Sequence, residues 1–147
     1  MPSPRYKKMI ALERLRLPAR IDSVKPFCEF ARRVSAGAAF TVEDLHLLDL
    51  VVEEIMVNIA LYAYGQPEGG EAQLGCALAG PRMLRIQICD KGRAFNPLAS
   101  QPPDFSRGLA GRPVGGLGIF LVRSIAQSIS YERSAGSNTL RFNFAPG

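Results

Sequence analysis

The sequence predicts an α+β two-layer sandwich, in which helices cover one face of a strand-rich sheet. Three observations carry this. Apolar residues alternate with smaller or polar ones at Ala72, Leu74, Cys76 and Leu78, at Leu84, Ile86 and Ile88, and at Leu140, Phe142 and Phe144, the period of half-buried strands. Two helical patterns, 24–34 and 42–64, stand side by side before these strands, and a third opens near Leu117. The chain has 147 residues, 47% of them hydrophobic, which suits one compact core rather than two domains.

Residues 1–10 read as a flexible leader and 11–147 as a single domain. Leu12, Arg14, Leu15 and Leu17 lie in a short strand that Pro18 stops. Asp22 or Ser23 can cap a helix whose apolar stripe is Val24, Phe27, Phe30 or Ala31, and Val34, with Gly37 ending it. Thr41 reads as the N-cap of the next helix, and Glu43 and Asp44 complement its dipole. From Val42 to about Tyr64 that helix is apolar nearly all round, the mark of a buried central element. Gly65, Gln66 and Pro67 end it, and Gly80-Pro81 marks a hairpin between the next two strands. Lys91 to Val114 holds four prolines and little periodicity, a length of loop that is usually functional. A helix from about Leu117 to Ile129 then leads to strands near Ser130–Arg133 and Thr139–Phe144.

Several function classes are excluded early. No apolar run reaches the roughly 20 residues that span a bilayer, and the basic start (Arg5, Lys7, Lys8) is not followed by a secretory signal pattern. Cys28, Cys76 and Cys89 are scattered without metal-ligand spacing and fit reduced thiols in a cytoplasmic protein. His46 is the single histidine, which argues against a zinc site or a Ser-His-Asp triad. The net charge of +5 is dispersed and not interleaved with aromatics, so it predicts a solvated or acid-facing surface rather than direct nucleic-acid binding.

Three separated pieces carry chemistry. Glu54 and Asn58 are spaced i, i+4 and share one face of an otherwise apolar helix. Asn58 offers a neutral oxygen suited to a hard cation such as Mg²⁺, and Glu54 a carboxylate able to take a proton from a hydroxyl. Glu53 points about 100° away, towards solvent. Asp90 ends a buried strand, and Gly92 lets the backbone turn closely around whatever Asp90 contacts; a carboxylate there can accept a hydrogen bond from an amino group such as that of adenine. Gly115-Gly116-Leu117-Gly118 opens a helix, where free amides favour phosphate. Taken singly, each has an ordinary structural explanation: a polar stripe, an Asp turn, a hinge. Neither a P-loop nor a complete dinucleotide fingerprint is present. Lys91, Arg107 and Arg112 can reach phosphates from the loop.

Together, Glu54…Asn58…Tyr62-Ala63-Tyr64, Asp90-Lys91-Gly92-Arg93-Ala94-Phe95 and Gly115-Gly116-Leu117-Gly118-Ile119-Phe120-Leu121-Val122 resemble the N box and the two glycine boxes of the ATP-binding superfamily shared by histidine kinases, DNA gyrase and the 90-kilodalton heat-shock chaperones. Within it the chain is most similar to the bacterial anti-sigma-factor serine/threonine-protein kinases. Gly136-Ser137-Asn138-Thr139-Leu140 resembles their closing segment, and the similarity runs from about Leu12 to Phe144. The resemblance implies the histidine-kinase-like sandwich, with a mixed, mostly antiparallel sheet and about three helices on one face. It implies that Asn58 coordinates Mg²⁺ on the triphosphate and that Glu54 activates the attacking hydroxyl. It further implies that Asp90 binds the adenine amino group, that Gly92 and Ala94 leave room and that Thr139 lies close to the ring. Gly116, Leu117 and Gly118 would meet the phosphates under a lid between Asn96 and Val114. The implied partners are a small antagonist protein with a phosphorylatable serine, a sigma factor held inactive, and a second copy in a homodimer. Two positions depart from the family pattern: Tyr62 where His is usual, and Asn96 where an acidic residue is common.

Overall fold

The computed structural model describes residues 11–65, 69–96 and 116–147, with the backbone alone at 116–119. Five strands, β1 (Glu13–Pro18), β2 (Glu71–Gly80), β3 (Met83–Asp90), β4 (Ala126–Ser134) and β5 (Ser137–Phe144), form one sheet in the order β1-β2-β3-β5-β4. Every pairing in it is antiparallel, so the expected mixed component is absent among the described strands. Three helices, α1 (Val24–Val34), α2 (Val42–Asn58) and α3 (Gly116–Ile125), complete the second layer. The leader 1–10, Gln66 and Pro67, and most of the proposed lid with Arg107 and Arg112, fall outside the described residues.

The register explains the core. Leu15, Leu74, Ile88 and Leu140 lie on one rung, and Glu13, Cys76, Ile86 and Phe142 on the next. Because side chains alternate across a strand, these rungs send apolar groups to the helix layer. There Leu74, Cys76, Leu84, Ile86, Phe142 and Phe144 are buried with Phe27, Leu48, Val51 and Val52. The opposite face carries Arg14, Arg16, Gln73, Gln87 and Arg141. Arg16 donates to Gln73 at 3.1 Å, and Arg141 to Gln87 at 3.0 Å and Glu132 at 3.1 Å. Burial of Cys28 and Cys76 pushes both thiols up to about 12, where they stay protonated and unreactive at neutral pH.

α2 is the axle of the fold, packed on both α1 and α3. Its junction with α1 is pinned by Arg32, whose guanidinium donates to both Asp49 oxygens at 2.7 to 3.0 Å. Its start is a capping box: Thr41 Oγ1 accepts from Asp44 N at 3.1 Å, and Thr41 N donates to Asp44 Oδ2 at 2.8 Å. Arg82, in the β2–β3 turn, adds an ion pair to Asp44 at 3.0 Å. The Thr41 amide, then the other partners, hold the Asp44 carboxyl below its ordinary value. Thr41→Ala is expected to remove about 1 kcal/mol of stability. A thermal melt should show the midpoint fall by about 3 °C.

Two expectations are corrected. The last helix ends at Ile125, not Ile129, and β4 begins at Ala126, not Ser130. Ala126 pairs with Phe144 and Gln127 with Asn143, and a bulge with Ser128 at φ 56 precedes the resumed pairing at Ser130. Partnering with β5 outweighs the helical spacing of Ile125, Ala126 and Ile129, which pack on the core either way. Ser23 stands at the N-cap of α1 as expected, yet its side chain makes no capping bond and is buried.

Candidate functional site

The site grows from the C-terminal end of α2. Glu54 and Asn58 lie one turn apart on its last stretch; Glu54 is half-buried and Glu53 exposed. Among the described residues Glu54 makes no hydrogen bond or ion pair, so none of them commits its carboxylate. After Asn58 the helix widens into a single π turn, Ile59–Ala63, a feature common at functional sites. At the end of this turn the Ala63 carbonyl has no helical partner, as at any helix C-terminus, and accepts from Arg93 N at 2.8 Å. The helix end is thereby tied to the turn that follows β3.

Gly92 sits in the tightest part of that joint. A Cβ on it would lie 2.6 Å from both the carbonyl carbon and the Cβ of Ala63, and closer still to the carbonyl oxygen. Only glycine fits. Its N–H donates to Asp90 Oδ1 at 2.8 Å, and its carbonyl accepts from Arg133 at 2.7 Å. Tyr64 staples the neighbouring strands: its hydroxyl donates to the Glu71 carbonyl at 2.5 Å and accepts from Lys91 N at 2.8 Å. Burial raises the Tyr64 phenol above its ordinary value. Tyr62 is 44% exposed, so the extra bulk relative to histidine projects into solvent instead of displacing α2.

Asp90 ends β3 on the helix side, on a rung with Ala72 and Asn138. Asn138 Nδ2 donates to Asp90 Oδ1 at 3.0 Å and to the Arg93 carbonyl at 2.8 Å. Oδ1 of Asp90 is thus doubly engaged, while Oδ2 has no hydrogen bond among the described residues. Thr139 is elsewhere. Its hydroxyl lies 3.6 Å from Cys89 Sγ, on the open side of the sheet, so Asn138, not Thr139, is the β5 side chain that meets Asp90. Asn138 is the residue sequence reasoning missed. The signal was available, because period-2 alternation puts 138 on the same face as Leu140, Phe142 and Phe144.

Gly116 is the first residue of α3. That helix joins β4 without a loop at the Phe144 end of the sheet, so Gly116 is at the end remote from this junction. Gly115 lies outside the described residues, as do the side chain of Leu117 and the surroundings of Gly118; Ala94 is exposed in the turn after Gly92. A cleft of about 340 Å³ flanks the same end of the sheet, touching Asp90 from the side of Arg16, Cys89 and Lys91. Glu54 and Asn58 do not line it.

The residues of the Asp90 turn fit the amino edge of a purine. Asp90 Oδ2 is a free acceptor for an exocyclic amine, and the missing Cβ at Gly92 lets the turn close around Asp90. Among the described residues no cluster of three or more His, Cys, Asp or Glu is gathered to cage a metal. An Asn58 amide oxygen is the kind of hard, neutral ligand that Mg²⁺ would take beside phosphates and water.

Comparison with known proteins agrees with this frame. The model of the histidine kinase-like ATPase domain family matches residues 17–144. The serine/threonine-protein kinase BtrW of Bordetella bronchiseptica is 32% identical over 117 residues, covering 78% of this chain and 77% of that protein. The serine-protein kinase RsbW of Bacillus cereus is 26% identical over 130 residues, covering 86% of this chain and 80% of that protein. Among solved structures, a blue-light activated histidine kinase of Erythrobacter litoralis superposes with a TM-score of 0.55 at 16% identity, over 84% of this chain and 41% of that one. That likeness speaks for the fold alone. A sandwich matched from the end of β1 to the end of β5 places the chain in the histidine kinase-like ATPase domain family, with the serine/threonine-protein kinase BtrW and the serine-protein kinase RsbW among its relatives.

Proposed function

We propose that this chain is an ATP-dependent serine/threonine-protein kinase that phosphorylates a small antagonist protein and, in the other partner state, holds a sigma factor or similar regulator inactive. One observation carries the kinase reading: the Glu54 carboxylate, without a partner among the described residues, stands one turn from Asn58, on the helix whose end is bonded to the Asp90 turn. A site built only to sense nucleotide needs the base and phosphate contacts, whereas transfer also needs a placed cation and a proton acceptor. The serine-protein kinase names of the relatives support the acceptor class.

In this reading Asp90 Oδ2 accepts from the adenine amino group, and Gly92 and Ala94 keep the turn close to the base. Asn58 offers its amide oxygen to Mg²⁺, and the N-terminal backbone of α3 from Gly116 to Gly118 faces the phosphates, as helix N-termini favour. ATP with Mg²⁺ supplies the transferable phosphoryl group and neutralises its charge. Glu54 takes the proton from the attacking serine hydroxyl. Thr139, on the open side of the sheet, has no direct part in this scheme and backs β3 behind Asp90. Homodimerisation and a cytoplasmic setting complete the proposal, and both rest on the family resemblance alone.

The decisive experiment pairs the protein with labelled ATP and with any small serine-bearing antagonist domain found encoded next to its gene. Label should appear on one serine of the partner. Nucleotide-dependent association without any label would replace the kinase by a nucleotide-gated binding module.

A further inference from the structure

The hydrogen bonds behind Asp90 lead to a residue two steps removed from the nucleotide. Asn138 is 6% exposed and both ends of its amide are engaged. Nδ2 faces two acceptors, Asp90 Oδ1 at 3.0 Å and the Arg93 carbonyl at 2.8 Å. Oδ1 faces two donors, the Tyr131 hydroxyl and, at 3.5 Å, the Phe95 amide. A reversed amide would set oxygen against the oxygens of Asp90 and Arg93 and N–H against the Phe95 N–H, so these three neighbours fix the orientation, and the Tyr131 hydroxyl anchors the oxygen end. The Phe95 contact is long, which leaves the Tyr131 hydroxyl as the stronger hold on the position of Oδ1. Tyr131 comes from β4, an edge strand. Two residues on, Arg133 holds the Gly92 carbonyl at 2.7 Å. The turn that frames Asp90 is therefore gripped from the β4–β5 hairpin, not only from α2.

We propose that Tyr131 is a positioning residue for purine selection: through Asn138 it holds the Asp90 carboxylate with Oδ1 filled and Oδ2 presented as the single free acceptor. This rests on the reading of Asp90 as the adenine contact. An acceptor held in that way favours a base edge that leads with a donor, the adenine amino group. It disfavours guanine, whose O6 brings a second acceptor to the same place. Without the Tyr131 hydroxyl, the oxygen end of Asn138 loses its short anchor and the side chain can lean away from Asp90. Asp90 Oδ1 then keeps only the Gly92 amide, and the carboxylate is free to rotate about its last torsion. The loss falls on ATP and leaves GTP, which never gained from the arrangement, where it was.

The test is equilibrium titration of the full chain with ATP and with GTP, on the parent protein and on Tyr131→Phe, Asn138→Leu and Asp90→Asn, with a thermal melt of each. Tyr131→Phe should bind ATP about tenfold more weakly, as expected for a lost bond in a charged network, with GTP affinity unchanged. The ATP-to-GTP preference should therefore fall about tenfold. Asn138→Leu, close in size but without the amide, should lower the preference at least as far and keeps the test decisive should Tyr131→Phe melt early. If Asp90→Asn abolishes the preference and Tyr131→Phe retains it, the Tyr131 role is overturned while the adenine contact stands. Equal weakening of both nucleotides in Tyr131→Phe would show ordinary packing and overturn it too. A parent protein without ATP preference, or one whose preference survives Asp90→Asn, would remove the adenine contact and this proposal with it.

Discussion

Glu54→Gln should abolish phosphoryl transfer to the partner while leaving ATP binding within a few-fold of the parent protein. The substitution keeps the size of the side chain and its ability to accept a hydrogen bond from a bound hydroxyl. It removes only the ability to carry a proton away. General-base assistance is worth about 10²- to 10⁴-fold, so single-turnover label transfer should drop by that factor. Because Glu54 has no partner among the described residues, no buried donor or cation is left unpaired by the change, and the melting midpoint should stay close to that of the parent. Glu53→Gln is the matched control. Glu53 is adjacent in sequence but exposed, about 100° around the helix, and its loss should leave transfer intact. Normal transfer by Glu54→Gln would show that Glu54 is not the base. Parallel loss of nucleotide binding would show instead that the acid shapes the pocket.

The contrast between Glu53 and Glu54 shows how much the sequence can resolve. A helix apolar nearly all round makes any polar residue on it conspicuous, and i, i+4 spacing places two of them together. The same logic drew attention to Asp90, because a carboxylate ending an alternating apolar strand sits at the rim of the core. It did not single out Asn138: the family likeness drew attention to Thr139, although strand alternation puts the asparagine on the helix side beside Asp90. It failed differently at β4. Ser128 adopts a left-handed backbone at the bulge, which shifts the register between Gln127 and Ser130. No strict period survives such a shift, and the apolar residues before it imitate a continued helix. Tyr131 was invisible for a related reason. A tyrosine in an edge strand looks like ordinary strand composition, and its partnership with Asn138 exists only once β4 and β5 pair. The π turn at Ile59–Ala63 was equally hidden, since it depends on where the helix end meets the Gly92 turn, a contact 29 residues away in sequence (63 to 92).

That contact underlies the second large effect. Gly92→Ala should both destabilise the protein and weaken nucleotide binding, because one added methyl meets backbone rather than a yielding side chain. Its nearest neighbours would be the carbonyl oxygen and carbon of Ala63, and that carbonyl is held by the Arg93 amide at 2.8 Å. Relief requires the turn to move off the helix end, which breaks the Arg93 bond and draws the Gly92 amide away from Asp90 Oδ1. Overpacking of this kind costs about 1–3 kcal/mol. A lowered denaturation midpoint should therefore accompany a loss of ATP affinity of tenfold or more. Gly65→Ala separates the steric argument from a general sensitivity to glycine replacement. A Cβ at Gly65 meets nothing within 4 Å, and restricting the unfolded chain there contributes up to about 1 kcal/mol of stability. Gly65→Ala should be neutral or slightly stabilising, with nucleotide affinity unchanged. If the two substitutions behave alike, the Ala63–Gly92 joint is not what ties α2 to the Asp90 turn. If Gly92→Ala loses stability but binds ATP normally, the joint supports the fold without shaping the adenine contact.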